Sequence, residues 1–239
     1  MKIHLLSADP DYGRLDGPEE VAALFGRSSR VRSKAVWSPP LLRSPLFRGK
    51  SQTLGVDCLP TTAPGGGNCL IFGSLARQRL GEVLRAAGEF LPVHMATDSS
   101  LPDDYEWFNC TTYLKDAISR ATAGEYVERY DLWHDIKRWE FQADVVANAP
   151  SVFMVPNDGF QRLYCRGDVA DIIKDADLLG FNTPLLWSSN KGGVEGAVPS
   201  FWDSMQSSRE EQKNRVKRVR VKRRAAQRIL AARIASSSA

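Results

Sequence analysis

The alternation of apolar and polar positions predicts short strands and amphipathic helices along most of the chain. Residues 1–7 alternate as a half-buried strand does, and residues 69–72 form a second, apolar strand. Apolar side chains then recur at helical spacing behind Ser74, a typical helix N-cap, as far as Gly88, a typical residue at a helix C-terminus. Residues 89–93 return to a strand pattern. This part of the chain therefore predicts a strand–helix–strand unit.

A second unit of the same kind is predicted further along the chain. Residues 163–165 indicate a strand, Asp168 a helix cap, and Gly180 the end of a helix whose apolar positions again have helical spacing. Residues 181–187 indicate the returning strand. Both units contain Gly, Phe, Pro and apolar residues in that order after the helix, which fits an internal duplication. It equally fits two unrelated units built from common chemistry.

Three more strands are predicted between these units, over residues 105–113, 139–147 and 152–155. The last of them ends at residues 156–159, Pro-Asn-Asp-Gly, which is a strong signal for a hairpin turn. Taken together, the pattern predicts an α+β fold in which a curved mixed or antiparallel sheet carries two or three packed helices.

The chain divides into a body and a tail. Residues 1–206 form the predicted α+β domain, within which residues 26–66 are dense in Gly and Pro and indicate an irregular surface segment. Residues 207–239 form the tail. Its residues 209–234 contain neither Gly nor Pro and are rich in helix formers, so a helix is predicted that ends in a disordered stretch at residues 236–239.

Charge divides the chain in the same place. Residues 209–239 hold eleven basic and two acidic residues, a net charge of +9, while the other 208 residues hold 21 basic and 26 acidic residues, a net charge of −5. The tail has no aromatic side chain for base stacking, so nucleic-acid binding by it would be independent of sequence. Docking on an acidic protein surface, its own body included, and a purely solubilising role are the alternatives. Six cations are candidate contacts with phosphates or with an acidic partner: Lys217, Arg218, Arg220, Lys222, Arg223 and Arg224.

Common catalytic and metal-binding motifs are missing from the sequence. The four cysteines contain no CxxC pair, and the three histidines form no HExxH motif. The glycines at residues 65–67 precede a strand rather than a helix, and Ser74 does not lie in a GxSxG motif. We therefore predict a protein that is not an enzyme and that has no catalytic residue, metal or cofactor.

The hydropathy of the sequence indicates where in the cell the protein is expected. No apolar run approaches the roughly 18 residues that a membrane-spanning helix needs, and the apolar start of the chain is too short for the core of a signal peptide. We therefore expect a cytoplasmic protein with reduced cysteines and no membrane partner.

Aromatic residues stand beside acidic ones in two places. Aromatic side chains flanked by charges are common in protein–protein interfaces. The second place also allows an alternative, because a carboxylate of Asp131 or Asp135 beside His134 could perform general acid–base catalysis. Seven residues are candidate contacts with a protein partner: Asp103, Asp104, Glu106, Trp107, Tyr130, Trp133 and Asp135.

Several short motifs within residues 1–190 match one known pattern. They are MKIHLLS at the start, Trp37-x-Pro39, CLIFxS from Cys69, GEFLPV from Gly88, YEWFN from Tyr105, Asp116, and the unit from Leu163 to Phe181. Together they resemble a family of bacterial immunity proteins from polymorphic toxin systems, formerly catalogued as a domain of unknown function. The motifs are mostly structural positions, and the basic tail lies outside the pattern.

The resemblance implies a function in binding. An immunity protein of this kind binds a cognate toxin, encoded nearby, and covers its active site, so the seven candidate contacts would be toxin-binding residues. An acidic body suits a basic toxin such as a nuclease, because complementary charge speeds the encounter. The alternatives are a nucleic-acid-associated protein that binds phosphates through its tail, and an enzyme that uses the residues around His134.

Overall fold

A computed structural model of the protein describes most of the body and part of the tail. The predicted irregular segment lies almost wholly outside the described residues, as do Asp103, the predicted disordered end and five of the six candidate tail cations, Lys217, Arg218, Arg220, Lys222 and Arg223. The described residues are 1–9, 41–42, 57–60, 70–95, 104–158, 162–197, 221, 224, 225, 228, 229, 231–233 and 235.

The described part of the body contains three α-helices, each of which lies between groups of strands in the chain. No helix among the described residues is both long and apolar enough to cross a membrane. The elements are β1 (Lys2–Ala8), β2 (Leu41–Leu42), β3 (Cys58–Pro60), β4 (Leu70–Phe72), α1 (Ser74–Arg85), β5 (Gly88–Pro92), β6 (His94–Met95), β7 (Glu106–Cys110), β8 (Ala123–Val127), β9 (Leu132–Arg138), α2 (Ala143–Ala147), β10 (Val152–Met154), β11 (Leu163–Arg166), α3 (Gly167–Asp175), β12 (Phe181–Asn182), β13 (Leu185–Ser188) and β14 (Gly192–Gly193).

Strand β7 occupies an inner position in a sheet with the order β3-β4-β7-β5. Both neighbours of β7 pair with it in antiparallel fashion, so β4 and β5 run parallel to each other. Helix α1 connects them, because parallel strands need a crossover connection. We call β3, β4, α1, β5 and β7 the first unit, which is a split strand–helix–strand arrangement.

The second unit repeats this topology with a different chain order. Strands β11 and β13 both pair antiparallel with β1, α3 connects them, and β10 pairs with β11 as β3 does with β4. Its central strand, β1, comes from the start of the chain, whereas β7 follows the other strands of its own unit. The second unit (β10, β11, α3, β13 and β1) therefore has the topology of a circularly permuted copy of the first, which favours the duplication over the alternative of two unrelated units. The predicted α+β fold with antiparallel sheets is confirmed.

The two units are joined by backbone hydrogen bonds at two places. After β7, the backbone N–H of Leu114 donates to the carbonyl of Met154 in β10, and the N–H of Met154 donates to the carbonyl of Thr112, both at 2.9 Å. At the start of β3, the N–H groups of Asp57 and Cys58 donate to the carbonyl of Leu179 in the second unit, at 3.0 and 3.1 Å. The first unit thus contacts the second through β7 and through β3.

Two hydrophobic cores stabilise this arrangement. The first lies between the units and contains the apolar faces of α1 and α3, together with Phe72, whose ring makes edge-to-face contacts with Phe90 and Phe108 at 6.0 Å. The second lies on the other face of the β1 sheet, where β9 and α2 cover it. Its largest side chains are Trp133, Trp139, Phe141, Phe153, Tyr164 and Trp187.

One predicted strand is wrong. Residues 139–147 were expected to be extended, but β9 ends at Arg138 and α2 begins at Ala143. Asp144 in the first turn and the alanines at both ends favour a helix, and packing of Val146 in the second core selects it over the strand preference of Val residues. β10 and β11 pair antiparallel, as the hairpin predicted at residues 156–159 requires. Residues Pro156–Asp158 of the connection form a turn of 3₁₀-helix, and Gly159 lies outside the described residues.

The predicted cap at the start of α1 is also corrected. Gly73 is the N-cap, and Ser74 is the first helical residue, with no capping hydrogen bond from its side chain. The position of Gly73 is fixed by its N–H, which donates to the carbonyl of Asp57 at 3.0 Å. Gly88 does not end the helix but begins β5, where an added Cβ would collide with the backbone oxygen of Asn109.

The predicted ends of α3 shift in the same way. Arg166 is the N-cap and Asp168 lies in the first turn. The helix ends at Asp175, and Asp177, with φ of 47°, takes the left-handed conformation expected of Gly180. The N–H of Asp177 donates to Lys174 and that of the next residue to Ile173, which is a Schellman ending.

Candidate functional site

The hairpin formed by β8 and β9 is the most exposed element that carries predicted contact residues. The two strands pair antiparallel, with Tyr126 opposite Trp133 and Val127 opposite Leu132. A single turn of 3₁₀-helix over Glu128–Tyr130 joins them, and Asp131 closes the turn with a left-handed φ of 50°. Asp tolerates this conformation better than most residues, which explains the sharp reversal without a glycine.

The inner side of the hairpin is fixed to the body. Trp133 and Ile136 are buried in the second core, and the ring of Tyr126 packs on Trp133 with 5.1 Å between centroids. The Arg120 guanidinium lies over the Tyr126 ring at 3.7 Å and donates to its hydroxyl at 2.8 Å. An aromatic contact and a cation–π contact therefore stabilise the hairpin, in addition to the backbone hydrogen bonds between its two strands.

The hydroxyl of Tyr126 connects the strand to the turn. It donates a hydrogen bond to the carboxylate of Asp131. This hydrogen bond, aided by the negative charge of Asp131, raises the pKa of the Tyr126 phenol above its usual value of 10.0, although Arg120 opposes the change. The hydrogen bond from the protonated phenol joins β8 to the residue that ends the turn.

The outer side of the hairpin presents an aromatic ring within acidic surroundings. Tyr130 at the tip is 61% exposed, and the Arg129 guanidinium lies 5.4 Å from its ring centroid. Residues 125–135 contain four acidic side chains and one cation, and all four acidic residues are exposed: Glu125, Glu128, Asp131 and Asp135. A large exposed aromatic side chain with a polar rim is a suitable contact for a protein partner.

The structure separates the six described candidate contacts into two groups and buries two of them. Tyr130, Trp133 and Asp135 share the β8–β9 hairpin, whereas Asp104, Glu106 and Trp107 lie at the start of β7. Trp107 is only 7% exposed and Trp133 only 6%. These two are corrected to core residues, because both are strand residues whose side chains point inward. Tyr130 and Asp135 are exposed as a contact surface requires.

Glu106 of β7 and the backbone of Asp104 just before it hold α1 on the sheet. The carboxylate of Glu106 accepts a hydrogen bond from the Arg77 guanidinium of α1 at 2.5 Å, and the same guanidinium donates to the carbonyl of Asp104. Both Glu106 and Arg77 are half-buried. The pair therefore holds α1 on β7, and this acidic group is less available to a partner than the hairpin is.

The alternative acid–base site is not assembled in the described structure. His134 is exposed, and no carboxylate of a described residue lies within hydrogen-bond distance of its ring. The Asp131 carboxylate is occupied by Tyr126, and that of Asp135 lies 4.0 Å from the Lys137 ammonium.

The described residues form no metal-binding cluster and no reactive thiol site. No group of three or more His, Cys, Asp or Glu side chains in that part of the chain is placed to hold a metal ion. Cys58, Cys110 and Cys165 are free and buried. Burial raises the pKa of the Cys110 thiol to about 12, and burial also raises those of the other two. These thiols are therefore protonated at neutral pH.

An open groove of about 450 Å³ lies at the N-terminus of α3. The carboxylate of Asp168 on its wall accepts hydrogen bonds from Ser151 at 2.7 Å, from Arg166 at 3.3 Å and from the N–H of Val169 at 3.1 Å. Burial acts to raise the pKa of Asp168, but these hydrogen bonds and the charge of Arg166 outweigh it, so the pKa lies below the usual 3.8. Asp168 is engaged within the protein itself.

All nine described tail residues are helical, in agreement with the predicted helical tail. Arg224, the one candidate tail cation that the structure describes, is exposed, and so is Arg228 one turn later. Arg233, which was not among the candidates, contacts the body through Asp57 at 3.2 Å. No local sequence signal could identify that pair, because the two residues are 176 positions apart.

No protein-family model and no curated protein matches this chain. The family likeness therefore depends on the motifs themselves, most of which coincide with observed elements: β1, β4 with the start of α1, β5, β7, and the run from β11 to β12.

Proposed function

We propose that this protein is a cytoplasmic immunity protein that binds a cognate toxin domain and covers its active site. The observation that carries the proposal is the exposed Tyr130 at the tip of an acidic hairpin whose inner side is packed into the core. Such a hairpin needs little ordering when a partner binds, and a preorganised aromatic contact loses little conformational entropy.

Charge supports a basic partner. The body carries a net charge of −5, and the described hairpin contributes four exposed carboxylates to it against three exposed cations. Complementary charge would speed the encounter with a basic toxin domain, of which nucleases are an example. The motifs shared with the immunity family support the same function, since they include the strand–helix–strand units on which the hairpin is mounted.

The test is a binding measurement with toxin domains encoded beside the gene. We expect the Tyr130→Ala variant to bind the cognate toxin about 30-fold more weakly than the native protein, as is typical when an interface tyrosine of this kind is truncated. Tyr113→Ala is the matched control, because Tyr113 is also exposed, at 41%, but lies outside the hairpin. Native affinity for Tyr130→Ala, or no toxin bound by the native protein, would contradict the proposal.

A second candidate function is binding of nucleic-acid phosphates by the tail. Arg224 and Arg228 favour it, because both are exposed on one face of a helix and are separated by a rise of about 6 Å. The double variant Arg224→Glu, Arg228→Glu should lower the slope of log affinity against log salt by about 1.8, with Lys191→Glu on the body as control. Equal slopes for all three proteins would rule out these two arginines as phosphate contacts.

A further inference from the structure

Among the described residues of the C-terminal helix, Arg233 contacts the body through its guanidinium group. Arg233 donates from its Nη1 atom to both carboxylate oxygens of Asp57, at 3.3 and 3.2 Å. Its Nη2 atom donates to the backbone carbonyl of Asp177 at 2.8 Å. The Asp57 side chain is only 7% exposed and that of Arg233 is 27% exposed. These are charge-assisted hydrogen bonds between two side chains that are largely removed from solvent.

Both units of the body build the acceptors for this guanidinium. Asp57 stands just before β3 of the first unit, and its carboxylate also accepts the N–H of Leu179 at 2.7 Å. Asp177 stands just after α3 of the second unit, where helix carbonyls lack intrahelical partners and carry the negative end of the helix dipole. A carboxylate and a carbonyl placed side by side can only accept hydrogen bonds, so the place suits a planar cation with several donors.

We propose that Asp57 and the Asp177 carbonyl form a guanidinium-binding site whose ligand is Arg233 of the same chain, and that this contact holds the C-terminal helix on the body. The burial pattern agrees with a docked helix. Ile229 and Arg233, one turn apart, are half-buried, whereas Arg224 and Arg228 are exposed. The described part of the C-terminal helix is then docked on the body with Arg224 and Arg228 turned outward, unlike a free basic arm or a solubilising appendage.

The proposal is independent of toxin binding, and hydrogen exchange tests it on the full-length protein. In the Arg233→Ala variant we expect amides of residues 221–235 to exchange about tenfold faster, because the charge-assisted contact that opposes opening is lost. Arg228→Ala is the matched control, since it removes an exposed arginine from the same helix. Its exchange should equal that of the native protein. The near-UV circular dichroism of the buried aromatic residues should stay native in both variants, which separates loss of docking from unfolding of the body.

The conservative variant Arg233→Lys tests the guanidinium specificity. A lysine ammonium is a point charge without the planar fork, so we expect fast exchange in this variant as well. Native-like protection with lysine would overturn the guanidinium site. Equal exchange of the tail in the native protein and in Arg233→Ala would overturn docking through Arg233 altogether.

Discussion

Nη1 of Arg233 lies 3.2 Å from the carboxylate of Asp57, although 176 positions separate the two residues in the chain. Burial raises the pKa of the Asp57 carboxyl above 3.8, while the N–H of Leu179 and the positive charge of Arg233 act in the opposite direction. The ionised form of Asp57 therefore depends on Arg233, and this dependence makes the stability of the variant sensitive to pH.

Removal of Arg233 should destabilise the protein most at neutral pH. The Arg233→Ala variant leaves a buried carboxylate with one fewer cation, which we expect to lower the free energy of unfolding by about 2 kcal/mol at pH 7. The pKa of Asp57 rises further without the arginine. Because the protonated acid needs no counter-charge, the deficit should shrink as the pH falls through that pKa. Urea unfolding of both proteins at pH 7 and at pH 5 measures the difference.

The control for this effect is Asp57→Asn combined with Arg233→Ala. Because the neutral amide cannot ionise, the difference in free energy of unfolding between this double variant and Asp57→Asn alone should be the same at both pH values. A deficit of Arg233→Ala that stays constant or grows on acidification would show that Asp57 is not the group responsible.

Gly180 should tolerate no side chain. It has φ of 87°, and an added Cβ would collide with the carbonyl oxygen of Cys58 across the seam between the units. We expect Gly180→Ala to lower the free energy of unfolding by about 3 kcal/mol, since strain and a backbone clash add together. Gly196→Ala is the control: φ is 64° there, but no atom lies within 4 Å of the new Cβ, so a cost of about 1 kcal/mol is expected. If urea unfolding shows equal losses of free energy for Gly180→Ala and Gly196→Ala, the backbone conformation alone, and not the clash, causes the loss.

Replacing Asp177 with glycine should stabilise the protein. Asp177 has φ of 47° at the end of α3, where its negative charge also meets the negative end of the helix dipole. Asp177→Gly removes both penalties and keeps the carbonyl that accepts the Arg233 guanidinium. We expect a gain of about 0.5–1 kcal/mol, or roughly 2–3 °C in the thermal midpoint. Asp177→Ala keeps the left-handed strain, and a larger gain for alanine than for glycine would contradict this explanation.

Local sequence patterns predicted the strand–helix–strand units because turns, helix spacing and apolar runs are local features. The local patterns failed where tertiary packing determines whether a side chain is buried. Trp133 and Tyr130 lie three positions apart in an acidic, aromatic stretch. Trp133 is buried because it lies on the inner face of β9, whereas Tyr130 is exposed because it lies in the 3₁₀ turn at the tip of the hairpin. The helix α2 replaced a predicted strand for the same reason. No local pattern could reveal that Arg233 finds Asp57, since that contact depends on how both units and the tail come together.

Asp168 should make the stability depend on pH in the acid range. Its folded pKa lies below 3.8, so its contribution is present above pH 3.8 and is lost as the pH falls through the lowered value. We expect Asp168→Asn to lower the free energy of unfolding by about 0.5–1 kcal/mol at pH 7, an amount reduced by solvent screening of this half-exposed side chain. The deficit should vanish toward pH 2. Asp171→Asn, an exposed position in the same helix, is the control and should show almost no deficit at either pH. A deficit for Asp168→Asn that persists at pH 2 would mean that shape, and not ionisation, underlies the role of Asp168.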